Sequence, residues 1–166
     1  DHTLLRADAT SSDHARLCDE ARKHGFATVC VTSAWVRFCA ERLADAGPGI
    51  TTVVGFPLGC VSTAAKVAEA QQAVRDGATE LDVVVHLGAL KDRHYRTVAL
   101  DLGAVVQAAD GRVVKVILET AALTPEQIRV GAALAQSAGA QFVKTSTGFG
   151  VGGATREAVA LLRETV

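Results

Sequence analysis

Lys144 closes the apolar run Gln141-Phe-Val-Lys144 and opens onto Thr145-Ser-Thr-Gly148. In a strand buried on both faces a lysine is costly to keep charged, and desolvation favours the neutral amine, which is the nucleophilic form. An amine so placed, at the loop end of a parallel strand, is what Schiff-base chemistry on an aldehyde or ketone needs. Asp82, inside the apolar run Leu81-Asp-Val-Val-Val85, and Lys115, inside Val113-Val-Lys-Val-Ile117, are its natural companions. A second cation near Lys144 would lower its pKa by like-charge repulsion. A carboxylate within reach would move protons through carbinolamine formation and carbon–carbon cleavage. The competing structural reading makes Asp82 and one lysine a buried ion pair that only fixes register.

This chemistry calls for no metal and no cofactor. The histidines His2, His14, His24, His86 and His94 show no metal-ligand spacing and are expected mostly at the surface or in loops. Gly148-Phe-Gly-Val-Gly-Gly153 matches the dinucleotide fingerprint after a strand and before a helix. It comes late in the chain, however, and no following strand supplies the ribose-binding acid. The loop is better suited to holding a substrate phosphate on backbone N–H groups or to serving as a lid, with a plain tight turn as the alternative.

The elements that must position these residues alternate almost from end to end. Helices are expected from the Thr10 cap to Gly25, over 34–46, 62–76, 93–109, from Pro125 to Gly139, and over 154–165. The Thr124-Pro-Glu-Gln127 start combines a capping box with proline at the first helical position. Strands are expected at 1–5, 27–32, 50–55, 80–86, 112–119 and 141–146, each short and built around an apolar run. Glycine recurs at each helix-to-strand turn, as in Gly25-Phe-Ala27, Gly77-Ala-Thr79 and Gly139-Ala-Gln141.

Such βα units build either an open doubly wound sheet or a closed barrel. Period-two alternation puts Lys144 with Phe142 and Ser146, Asp82 with Val84 and His86, Lys115 with Ile117 and Glu119, and Cys30 with Thr28 and Thr32. An open sheet covered on both faces has no place for so polar a face, whereas a barrel interior near its C-terminal mouth does. The fold class expected is therefore α/β, a (β/α)8 TIM barrel, with residues 1–166 forming a single domain.

Hydrophobic residues make up 49% of the chain and aromatics only 4%, so Ala, Val and Leu must build the core. A net charge of −1 gives no general electrostatic hold on nucleic acid or anionic membrane. No apolar run approaches the roughly 20 residues that span a bilayer. Cys18, Cys30, Cys39 and Cys60 lack CxxC spacing and read as free buried thiols, which points to the cytoplasm.

The segments Asp1-His-Thr-Leu-Leu5, Val53-Val-Gly-Phe-Pro-Leu-Gly59, Glu80-Leu-Asp-Val-Val84, Lys115-Val-Ile-Leu-Glu-Thr120 and Phe142-Val-Lys-Thr-Ser-Thr-Gly-Phe-Gly150 resemble the 2-deoxyribose-5-phosphate aldolase family. The resemblance runs over the whole chain in the family's order. It implies a class I aldolase that reversibly cleaves 2-deoxy-D-ribose 5-phosphate into acetaldehyde and D-glyceraldehyde 3-phosphate. By that resemblance Lys144 matches the Schiff-base lysine and Asp82 the proton-relay acid. Asp1 and Thr3, Cys30, Thr147 and Gly148 match positions at the substrate, and Lys115 a lysine beside the site. The phosphorylated sugar is the expected partner, and a homodimer would be in keeping with such a barrel.

The family's pattern also includes a further strand with a second active-site lysine and phosphate-binding glycines. The chain carries no match to it, so about six of the eight βα units are expected here. The expectation is a barrel domain incomplete at the C-terminus and at the N-terminus. Two other readings compete: a non-catalytic barrel fragment that binds a sugar phosphate or self-associates through its open edges, and another Schiff-base barrel lyase.

Overall fold

The computed structural model describes residues 1–45 and 47–166. Ala46, the expected end of the second helix, lies outside the described residues. Six strands form one sheet in chain order: β1 His2–Leu4, β2 Thr28–Val31, β3 Gly49–Val54, β4 Glu80–Val84, β5 Val113–Ile117 and β6 Phe142–Lys144. Every neighbouring pair is parallel.

The helices are α1 Ser11–His24, α2 Val36–Leu43, α3 Thr63–Asp76, α4 Leu87–Lys91, α5 Tyr95–Ala108, α6 Pro125–Ser137 and α7 Arg156–Thr165. Local chemistry sets their limits. Thr10 and Asp13 close a capping box on α1, Thr124 and Gln127 one on α6, and Gly25 ends α1 in the left-handed region at φ 65°.

Alternation along the strands divides the sheet into two environments. Val29 and Val31, Leu81 and Val83, and Val114 and Val116 are fully buried with Leu17, Val98, Leu102 and Ala132 of the helices. This aliphatic layer is the core. The residues between them, Thr28, Cys30, Asp82 and Lys115, point to the opposite face.

That face is concave. In a flat parallel sheet β1 and β6 would stand about 24 Å apart, five spacings of about 4.8 Å. Instead Lys144 Nζ, at the end of β6, lies 3.1 Å from Asp1 Oδ2, just ahead of β1. Only a sheet curled as in a barrel allows that contact.

Several expectations need correction. The strand expected to reach His86 ends at Val84, and His86 Nδ1 accepts from Ala89 N at 3.2 Å to start the unforeseen α4. The β5 strand stops at Ile117, because Glu119 adopts φ 55° and a 3₁₀ turn follows over Thr120–Ala122. His14 departs from the surface or loop placement expected for most of the histidines and is buried: its ring stacks on Trp35 at 4.2 Å and Nδ1 lies 2.8 Å from Thr10 O. Cys60, expected to be buried, is exposed.

Candidate active site

Five charged side chains meet inside the curve of the sheet: Asp1, Glu80, Asp82, Lys115 and Lys144. Asp82 on β4 faces Lys115 on β5 in register, and Lys144 follows one strand further, opposite Ile117. Lys144 Nζ donates to Asp82 Oδ2 and, at 3.1 Å, to Asp1 Oδ2. Lys115 Nζ lies 2.5 Å from Glu80 Oε2, 3.3 Å from Asp82 Oδ1 and 3.4 Å from Asp1 Oδ2. Two lysines therefore share two aspartates.

Their surroundings differ. The Asp82 side chain is 1% exposed, that of Lys115 10%, and that of Lys144 32%. Lys144 was expected in a strand buried on both faces. Among the described residues β6 pairs with β5, Phe142 is more than half exposed, and the Lys144 side chain is the most open of the three. Asp82 Oδ1 is buried and accepts no hydrogen bond, because Lys115 is close to it but not aligned with it.

A polar layer supports the cluster from beneath. Thr28 Oγ1 donates to Asp1 Oδ1 at 2.6 Å, and Thr51 Oγ1 lies 3.0 Å from Thr28 Oγ1 and 3.1 Å from Glu80 Oε2. Burial alone would pull Lys115 down; its hydrogen bond to Glu80 and the Asp82 charge outweigh burial and push it above its ordinary value. Burial likewise works against the Glu80 carboxylate, but the Lys115 bond and charge hold it below the usual range. Lys115 is thus a fixed cation beside the site.

A half-buried amine within bonding distance of two carboxylates can add to a carbonyl, and the carboxylates can take and return the protons that addition and dehydration require. Among the described residues, no three His, Cys, Asp or Glu side chains form a group that could hold a metal ion.

The family model for the DeoC/LacD family aldolase matches residues 1–166. The chain belongs to the DeoC/LacD aldolase family. It is similar to deoxyribose-phosphate aldolase 1 of Mesoplasma florum, 51% identical over all of this chain and 76% of the relative. The Bacillus licheniformis deoxyribose-phosphate aldolase 1 is 52% identical, over all of this chain and 75% of its own length. Among solved structures, a Coccidioides immitis protein provisionally named deoxyribose-phosphate aldolase superposes with TM-score 0.97 at 45% identity, over 98% of this chain. The chain spans 64% of that fungal protein. The tetrameric deoxyribose phosphate aldolase of Aeropyrum pernix superposes with TM-score 0.89 at 35% identity, over 99% of this chain and 70% of its own. These matches are to TIM-barrel aldolases, and the six parallel strands with their helices are part of that barrel.

Within this family frame the remaining expected residues lie around the cluster at different depths. Thr3 and Cys30 are register partners on β1 and β2. Burial, and then the Asp82 charge, push the Cys30 thiol up to about 11, so it stays protonated at neutral pH. Thr147 and Gly148 follow β6; Thr147 donates N–H and hydroxyl to Glu119 Oε2, and Gly148 takes φ 82°. Glu119 itself, expected on the polar face beside Lys115, is therefore turned to the loop.

Glu80 was missed. Its position two residues before Asp82 puts it on the same face, a signal that strand alternation carries.

Proposed function

We propose that the protein is a class I aldolase that reversibly cleaves 2-deoxy-D-ribose 5-phosphate to acetaldehyde and D-glyceraldehyde 3-phosphate through a Schiff base on Lys144. The observation that carries the reading is the Lys144 amine held against Asp82 and Asp1 in the concavity of the sheet. Relatives about half identical across the whole chain are named for this substrate, which supports it as the sugar phosphate.

In the cleavage direction the neutral Lys144 amine adds to C1 of the open-chain sugar, and the carbinolamine loses water to an iminium. Asp82 serves as the proton acceptor and donor, directly or through one water. Loss of the C3 hydroxyl proton breaks the C2–C3 bond, and its electron pair passes into the iminium to give an enamine on Lys144. D-Glyceraldehyde 3-phosphate leaves. Protonation of the enamine at C2 and hydrolysis of the resulting imine release acetaldehyde and restore the amine. Lys115, paired to three carboxylates, keeps its charge and balances Asp82 as protons move. Asp1, Thr3, Cys30, Thr147 and Gly148 border the substrate.

The three buried free thiols support a reducing compartment, the cytoplasm. The tetrameric Aeropyrum pernix relative supports self-association, with a homodimer as the simplest form. Acetaldehyde release from 2-deoxyribose 5-phosphate tests the proposal. Turnover by the wild type and its loss in Lys144→Ala are expected; a Lys144→Ala protein that still turns over would overturn the assignment.

A further inference from the structure

Glu119 has a conformation and a burial that the reaction itself does not require. It sits two residues past β5 at φ 55°, ψ 58°, a region that non-glycine side chains seldom occupy and that the surroundings must enforce. Its side chain is drawn in at the mouth, leaving the residue 6% exposed.

What it touches explains why. Oε2 accepts from Thr147 N at 3.3 Å and from the Thr147 hydroxyl, whose oxygen in turn accepts from Phe149 N at 3.1 Å. Gly150 lies flat on the same carboxylate: a Cβ there would fall 2.9 Å from both Glu119 Cδ and Oε2. One side chain thus organises the turn Thr147–Gly150. The backbone on either side of Glu119 is tied to β6, with Leu118 N donating to Lys144 O at 3.0 Å and Thr120 N to Thr145 O at 2.8 Å. The other oxygen, Oε1, is buried and accepts no hydrogen bond among the described residues. A buried carboxylate with an idle oxygen is costly, so its retention needs a compensating role.

We propose that Glu119 is a positioning residue: it clamps the Thr147–Gly150 loop beside Lys144 and thereby sets affinity for the substrate rather than the rate of bond breaking. The inference rests on the aldolase reading. Glu119 touches neither the amine nor Asp82, and it acts through Thr147 and the glycine stacked on it. Disordering the loop weakens a contact that ground state and transition state share, which raises KM with little change in kcat.

The test compares wild type, Glu119→Ala and Glu119→Gln in two measurements. In steady-state cleavage of 2-deoxyribose 5-phosphate, Glu119→Ala should raise KM by about tenfold or more with kcat within about threefold, and Glu119→Gln, which keeps one acceptor and the volume, should recover much of the loss. Unchanged KM, or a fall in kcat alone, would overturn the clamp. Hydrogen–deuterium exchange over residues 145–151 needs no turnover. Faster exchange in Glu119→Ala than in wild type is expected, and equal exchange would overturn the clamp. If the wild type shows no turnover at all, the aldolase reading fails, and the exchange result alone decides the clamp.

Discussion

Asp82 stands opposite Lys115 in the β4–β5 register, yet its two oxygens serve different lysines: Lys115 lies 3.3 Å from Oδ1, and Lys144 donates to Oδ2. One buried carboxylate is shared between a cation on the neighbouring strand and the amine at the end of β6.

Asp82→Asn keeps the shape and one acceptor but cannot carry a proton. Its kcat should fall by about 10²–10⁴, the range for loss of a positioned general acid–base. Imine formation with Lys144 should remain detectable. A kcat within a few-fold of wild type would show that proton transfer runs through another group.

The Glu80–Lys115 pair has a pH signature. Glu80 is held below its ordinary value, so its contribution to stability is present above about 4.3, its unfolded value, and fades as pH falls through the lower folded value. Lys115 is raised, so its contribution is complete below about 10.4 and fades only as pH rises through its folded value. Thermal unfolding of Glu80→Gln should therefore lie below wild type from about pH 5 to 8, and the gap should narrow as pH drops below about 4. A gap that widens in acid would contradict the pairing.

Lys66 and Asp101 form a second buried pair, outside the candidate site. Lys66 Nζ lies 2.6 Å from Asp101 Oδ2 and donates to Val84 O at 2.9 Å, with side chains 0% and 2% exposed. Removing one partner strands a charge, so Asp101→Ala should cost roughly 3–5 kcal/mol in urea unfolding. Lys66→Met combined with Asp101→Leu should recover most of that loss. A single variant as stable as wild type would mean the pair is not buried in solution.

The sequence carried the barrel and the shared polar face for definite reasons. Strand alternation placed Asp82, Lys115 and Lys144 on one face, and the Thr124-Pro-Glu-Gln127 signal located the start of α6 to the residue. Contacts set by tertiary structure were beyond it. Lys66 reads as one more polar residue on an amphipathic helix, because its partner lies 35 positions away on α5. His86 continues the strand pattern, yet its ring caps α4. The Lys144–Asp1 contact depends on curvature summed over six strands, which no local spacing encodes.

Borohydride reduction in the presence of 2-deoxyribose 5-phosphate, read by intact mass and peptide mapping, tests the central claim most directly. The account predicts a single reduced adduct on Lys144, absent without substrate and absent in Lys144→Ala. An adduct on another lysine, or none while the protein turns over the sugar, would contradict it.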